Sequence, residues 1–561
     1  MKTISYFKVF IVLGLLYSLQ VHACTNILIS KGASVDGSVM ISYVADSHTL
    51  YGELYYRPAN DYAPGTKMQI YDWDSTIYLG NIRQALHTYS VVGNMNEHQL
   101  TIGETTFGGR DSLIDRSATL DYGNLIYITL QRARTARAAI DTIATLLSEN
   151  GYHSEGESFS IADPYEVWIM EIVGKCSPEI IKGKNGKVIQ TNYDKGAVWV
   201  ARRIPDGYMC AHANQSRIKQ FPLNDPQNCV YSKDVISFAR GKGWFKGEDK
   251  DFSFADTYVP LTYESLRLCE ARVYSIFRRS APSLKLSADY VEGKNEATPL
   301  PLWIKPDNKI GVKEMMALMR DHYEGTDLDM TNDFGAGPFK CPYRWRPLTW
   351  KVDSIEYFNE RAISTQQTGF SFISQSRSWI PDCIGGMVWF GVDDTYSTVY
   401  MPIYCSMQVI PQQLAQGNGN LFTYSETSAF WTFNFVSNWA YTRYSDMIID
   451  IQKIQRSLED KFLMFQPYIE KTAQDIYNSG KVNECMQFLN DYSLNQVTNT
   501  ADRWKQLGHE LLVKYIDGNV KDDKGNVTHP PYPQWWYKKI INQTNDHFKI
   551  KKLKSETDKP Q

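Results

Sequence analysis

The sequence predicts an α+β fold, a strand-rich body followed by a helical C-terminal extension. Between residues 70 and 405, short aromatic or β-branched runs alternate with a few helical patterns. After about Tyr424 the period turns helical almost throughout. Hydrophobic residues at 43% and charged residues at 22% are the proportions of a globular chain, which excludes a disordered, collagenous or heptad-repeat protein.

The elements follow in order. Thr25–Ser30 (TNILIS) is a short apolar strand, Lys31–Ser38 is turn chemistry around Asp36-Gly37, and Val39–Val44 is a second strand, so the three make a hairpin. Arg132–Glu149 places apolar residues at helical spacing. Glu166–Glu171, Ala197–Ala201, Tyr208–His212, Gly386–Phe390 and Thr398–Met401 read as strands, and Glu264–Arg279 and Val312–Arg320 as helices. Helices are expected over Trp439–Met464, Tyr468–Asn478, Cys485–Asn499 and Ala501–Tyr515. The expected organisation is a body over 24–424, an extension over 425–546 and a Lys-rich flexible tail over 547–561.

With 59 Lys plus Arg against 62 Asp plus Glu, the formal charge is −3, and nothing favours nucleic acid or an anionic membrane as partner. Residues 1–23 carry Lys2 and Lys8, then an apolar run densest at Val9–Tyr17, then Val21-His22-Ala23. That pattern is a secretory signal peptide, its apolar part too short to span a bilayer. The mature chain is therefore expected to be secreted or periplasmic.

Cleavage after Ala23 makes Cys24 the first residue. Its thiol then shares a residue with a free α-amine, and reference pKa values of about 8.5 and roughly 7.7–8.0 match the amine to take the thiol proton. Nucleophile and base occupy one residue. Two bland alternatives stay open. Val21-His22-Ala23-Cys24 resembles a lipoprotein processing site, where Cys24 would be lipidated and the chain a non-enzymatic binding module. Or Cys24 pairs with one of the eight other Cys, nine being odd. A strand starting at Cys24, with no polar tether, favours the nucleophile.

The blocks Cys24–Ser38 (CTNILISKGASVDGS), Asn96–Thr106, Gly156–Asp163, Val167–Glu171, His212–Ile218 and Gln375–Pro381 together resemble the dipeptidases of peptidase family C69. Those are N-terminal-nucleophile hydrolases related to bile salt hydrolase and penicillin V acylase. The resemblance implies a four-layer α/β/β/α sandwich. It also implies site residues: Cys24 as nucleophile, Asp46 orienting its amine, Asn96 and Asn214 as oxyanion donors, and Arg272 as a fixed positive charge. Read without the family, Asp46 and Asn96 are turn residues, Asn214 belongs to a glycosylation sequon and Arg272 is a charge on a helix. One departure stands out: relatives of the bile salt hydrolase type carry Arg three positions before the Asp, and here that position is Tyr43.

Cys210-x-His212 lacks a second pair at zinc spacing, and no G-x-G-x-x-G, P-loop, H-E-x-x-H or G-x-S-x-G occurs, so no cofactor or metal is expected. Trp535-Trp536-Tyr537 reads as a segment packing onto the body. The function expected is an exported cysteine-type dipeptidase acting on small peptides. The alternatives are an amidase on bile-salt, penicillin V or N-acyl amides, or the lipoprotein module. Membrane association is expected only if Cys24 is lipidated, and a homo-oligomer is left open.

Overall fold

Two antiparallel sheets form where the sequence alternates β-branched and small residues. The computed structural model describes residues 24–551, apart from 48, 177, 183–187, 193, 295–296 and 346. The expected signal peptide and residues 552–561 of the expected tail lie outside the described residues.

The first sheet is built from β1 (Thr25–Ile29) and β2 (Met40–Asp46), and the second starts at β3 (Tyr56–Arg57), β4 (Val91–Val92), β5 (Met95–Asn96) and β6 (Thr101–Phe107). Helices α1 (Tyr122–Leu130) and α2 (Ala136–Asn150) follow, then β7 (Gly156–Ala162), β8 (Val167–Gly174), β9 (Ala197–Arg203), β10 (Met209–His212) and β11 (Cys229–Tyr231). Next come α3 (Ala271–Ser280), β12 (Trp303–Ile304), α4 (Val312–Met319), β13 (Thr368–Gln375), β14 (Met387–Val392) and β15 (Met401–Tyr404). The chain ends in α5 (Ala429–Ala440), α6 (Tyr444–Asn478), α7 (Val482–Tyr515) and α8 (Gln534–Thr544). Strand order is β12-β10-β1-β2-β13-β14-β15 in the seven-stranded sheet and β11-β9-β8-β7-β6-β5-β4-β3 in the eight-stranded one.

The hairpin turn has a local cause. The Asp36 carboxylate accepts from the Ser38 N–H at 3.0 Å and its hydroxyl at 2.6 Å. Gly37 takes φ +81°, a left-handed conformation that costs glycine little. In the resulting register Thr25 pairs with Val44 and Asn26 with Tyr43, and on the other side Asn26 pairs with His212.

β1 and β2 pack against β6, β7 and β8 of the other sheet. Gly103 permits the approach: a Cβ there would stand 2.9 Å from Asn26 Nδ2 and 3.2 Å from the Tyr43 Cβ. Helix α1 packs on β6, and α2 on β7, β8 and β9. Against the first sheet lie α3 on β10, α4 on β2 and β13, α5 on β14, and α6 and α7 on β15. The hydrophobic core runs from Cys24 to Tyr515 and includes the fully buried Trp168, Trp389 and Trp504. This is an α+β architecture with a helical C-terminal region.

Several expected boundaries move. The helix expected from Arg132 begins at Ala136, because the Thr135 hydroxyl accepts from the Ala138 N–H at 3.2 Å and caps it there. Before it stands α1, for which no helix was expected, with the Asp121 carboxylate accepting from the Asn124 N–H at 2.7 Å as its cap. The strand expected at Thr398–Met401 lies at Met401–Tyr404. The Thr398 hydroxyl instead donates to the Val392 carbonyl at 2.7 Å and closes a turn. The break expected between Met464 and Tyr468 is absent, since the 35-residue α6 runs through Pro467. Likewise α7 is continuous across Asn499–Ala501, and the aromatic run before Trp439 belongs to α5. The Glu264–Arg279 helix contains a π-helical segment at Leu266–Glu270. All nine cysteines are thiols. Trp536 does pack onto the body, stacking on Phe334 with ring centroids 5.1 Å apart.

Candidate active site

Cys24 precedes β1 directly, so the sheet fixes its backbone and leaves it only 5% exposed. Its sulfur lies 3.6 Å from Glu104 Oε1 and 3.8 Å from the Tyr43 hydroxyl. Tyr43, standing where the resemblance calls for Arg, donates its own hydroxyl proton to the same Glu104 oxygen. Burial, followed by the nearby charges of Glu104 and Asp46, pushes the Cys24 thiol well up, against hydrogen bonds from the Asp46 backbone and Tyr43. At rest the group is a thiol, and forming thiolate requires a proton acceptor at the sulfur.

Arg272 reaches the other side of the same residue. Its guanidinium donates to the Cys24 carbonyl at 2.6 Å and the Thr25 hydroxyl at 2.8 Å through Nη1. Nη2 donates to Asn214 Oδ1 at 2.8 Å and the Ala213 carbonyl at 3.3 Å. Nε is taken by the Leu268 carbonyl at 2.8 Å, inside the π-helical segment that precedes α3. All five N–H groups are therefore engaged. Burial, then the neighbouring Arg361, lowers its pKa. The sequence reading gives Arg272 a charge acting on the thiol; the geometry directs that charge at the backbone of Cys24 and at Asn214.

Asn214 follows β10 in the left-handed region, φ +56°, which Asn tolerates better than most residues. Its Nδ2 donates to the Thr106 carbonyl at 2.6 Å, tying β6 to the turn. Glu171 holds the turn itself, accepting from the Ser216 hydroxyl at 2.5 Å and the Arg217 N–H at 2.6 Å. Burial outweighs those bonds and raises Glu171 to about 7. Beneath the turn, Arg217 and Glu270 form a buried ion pair at 2.9 Å. Sequence reading missed both acids, although Glu171 lies inside a quoted block.

Asp46 ends β2 at a register shift against β13, an irregularity that re-aims a side chain. Its carboxylate is buried and ion-paired with Arg361, and accepts the Thr368 hydroxyl at 2.6 Å. Burial raises its pKa against Arg361, Thr368 and Arg272. Arg361 was not foreseen because it lies in an irregular stretch far along the chain. Asn96 is committed elsewhere: Nδ2 donates to the Leu130 and Ala133 carbonyls, both at 2.8 Å. Its Oδ1 accepts from the His98 and Leu100 N–H groups at 3.0 and 3.1 Å. An amide so bonded fastens the β5–β6 turn to the end of α1 and has no N–H left to offer.

Glu104, on β6, shares a hydrogen bond with Glu157, on β7. Burial, then the Glu104 charge, raises Glu157 well above a usual carboxyl. His212 is interior: its ring nitrogens bond the Thr105 and Ser160 hydroxyls, both at 2.7 Å, and burial lowers its pKa to about 3. Among the described residues no His, Cys, Asp and Glu group is placed to hold a metal.

A family model described as peptidase family C69 matches residues 53–457. The matched span contains Asn96, Asn214 and Arg272 and starts after Cys24 and Asp46. A probable dipeptidase of Latilactobacillus sakei is 24% identical over 66% of this chain and 72% of its own length. One from Salmonella dublin is 24% identical over 69% of the chain and 82% of its own length. Probable dipeptidase A of Streptococcus pyogenes serotype M1 is 22% identical over 77% and 85%. The chain belongs to peptidase family C69, and so to the hydrolases of peptide bonds.

Proposed function

We propose that this protein is an exported cysteine-type dipeptidase whose mature chain starts at Cys24 and uses that residue as nucleophile. The observation that carries this is Cys24 itself. It is fixed at the head of a central strand, its sulfur meets Glu104 and Tyr43, and its carbonyl is clamped by Arg272. The curated relatives named probable dipeptidase support the substrate class. The paired sheets with helices against each are read as the α/β/β/α sandwich of N-terminal-nucleophile hydrolases.

In this mechanism the Cys24 α-amine takes the thiol proton as sulfur adds to the scissile carbonyl. Asn214 donates its second amide N–H to the oxyanion that forms, while Arg272 fixes the Asn214 side chain in place. The C–N bond then breaks, the ammonium returns its proton to the leaving amine, and an acyl thioester remains on Cys24. Water, deprotonated by the same amine, adds to the thioester and releases the acid and the thiol. Asp46, neutralised by Arg361, orients the amine, and Asn96 holds the turn that leads into β6.

The test is direct. Protein isolated after export should begin at Cys24 by intact mass, and should hydrolyse dipeptides with release of both amino acids. A diacylglyceryl adduct on Cys24, or undiminished hydrolysis by Cys24→Ala, would overturn the reading.

A further inference from the structure

We propose that Cys383 and Cys485 are an oxidation site, a thiol pair that closes to a disulfide and joins the strand-rich body covalently to the helical C-terminal region. The inference is independent of the role given to Cys24.

Cys383 stands in the single helical turn Asp382–Gly385 that leads into β14, and Cys485 in the first turn of α7. α7 packs across that turn, and there the two thiols share a hydrogen bond. Sulfurs already in contact need only turn toward each other to reach the roughly 2 Å of an S–S bond. Both elements are held where they meet. The Ser406 hydroxyl donates to the Cys383 carbonyl at 2.8 Å, and Asn490, further along α7, accepts from the Gln408 and Val409 N–H groups, both at 3.0 Å. The segment after β15 thus fastens to each partner. Cys405 lies close by, but its thiol donates to the Asp382 carbonyl at 3.3 Å and is wedged against Gly386, where a Cβ would stand 2.6 Å from its sulfur.

The export proposed above brings the chain where disulfide oxidants persist, glutathione disulfide or a protein disulfide being the class required. Cys485 is fully buried and Cys383 half-buried, so the oxidant meets Cys383 first. Cys383 loses its proton, and its sulfur attacks one sulfur of that disulfide, expelling the other as a thiol and leaving a mixed disulfide. The Cys485 sulfur then gives up its proton, attacks the Cys383 sulfur and expels the second thiol. Two protein thiols are oxidised, one external disulfide is reduced, and both protons leave on the released thiols. Burial, then Cys485, pushes the Cys383 thiol up to about 12, so exchange is slow near neutral pH and gains speed as pH rises. The new bond closes a loop of about 100 residues through β14, β15, α5 and α6, which restricts the unfolded chain and pins α7 to the body.

The test incubates the mature full-length protein with oxidised glutathione at about pH 8, where enough thiolate forms for exchange. Remaining thiols are then blocked with iodoacetamide in urea, and the protein is digested without reduction. Mass spectrometry should find the Cys383 and Cys485 peptides joined, about 2 Da lighter than the reduced pair. The oxidised protein should unfold about 2–4 °C higher, and dithiothreitol should reverse the shift. Cys383→Ser should lose both the joined peptides and the shift, whereas Cys405→Ser should keep both. A link between Cys383 and Cys405, glutathione left on Cys383, or recovery of both residues alkylated would each overturn the proposal. So would a rise in unfolding temperature as large in Cys383→Ser as in wild type, which would assign the shift to another thiol.

Discussion

The guanidinium of Arg272 lies 2.6 Å from the carbonyl oxygen of Cys24, across a sequence separation of 248 residues. The same group holds Asn214, so one buried side chain sets the Cys24 backbone and the proposed oxyanion donor in a fixed relation.

Cys24→Ala should abolish dipeptide hydrolysis and Cys24→Ser should greatly reduce it, both with an unchanged circular dichroism spectrum. One residue retained before Cys24 should also silence the enzyme, since an amide nitrogen cannot take the thiol proton. Intact mass confirms the retained residue, and normal turnover in that protein would contradict the mechanism.

Asn214→Ala should lower kcat about 10²–10³-fold with little change in KM, as loss of one oxyanion donor does. A rise in KM alone would make Asn214 a group that binds substrate and transition state equally.

Arg272→Ala removes all five donors and leaves the Cys24 carbonyl, the Thr25 hydroxyl and Asn214 Oδ1 short of a partner, which should destabilise the protein by about 1–3 kcal/mol for each buried group left unsatisfied. Arg272→Lys keeps the charge but loses the fork. It should recover part of the thermal stability while kcat stays depressed. Equal recovery of both would mean that charge alone suffices.

His212, neutral in the fold, ties acid stability to one side chain. Its folded pKa of about 3 lies below the ordinary 6.5, so its contribution is complete above pH 6.5 and is lost as pH falls toward 3. Over that window it should account for up to about 1.4 kcal/mol per pH unit of the slope of unfolding free energy. Urea unfolding of wild type and His212→Gln at several pH values measures it. Parallel slopes in the two proteins would exclude His212 as the source.

Trp504→Ala should cost about 3–5 kcal/mol, because the indole is fully buried and stacks on Phe433 at 4.8 Å. Activity per folded molecule should be retained at low temperature, and differential scanning calorimetry reads the loss of stability.

Much of this was legible in the sequence where the signal is local. The β1–β2 hairpin is written by two apolar runs around Asp36-Gly37. Cys24, Asn214 and Arg272 meet in space, and the resemblance had gathered them. What stayed hidden is set by tertiary contact. Nothing near Asn96 announces that its amide is spent on the Leu130 and Ala133 carbonyls. Glu104 and Glu157 each sit in an unremarkable strand, and only the pairing of β6 with β7 joins them. α1 and α5 are rich in aromatic and β-branched residues, whose local preference for strand is overridden by packing on a sheet. Pro467 does not end α6, because the packing of a 35-residue helix outweighs one missing N–H bond.

The two long helices that lie on β15 also decide how the molecule meets its neighbours. β15 is the last strand of the seven-stranded sheet, and its four residues are wholly enclosed. An uncovered strand of that composition offers its free backbone groups to any other chain with a matching run. With α6 and α7 in place that row is closed to pairing. A chain truncated near residue 424 would then fail by sticking edge to edge, even with every catalytic group present.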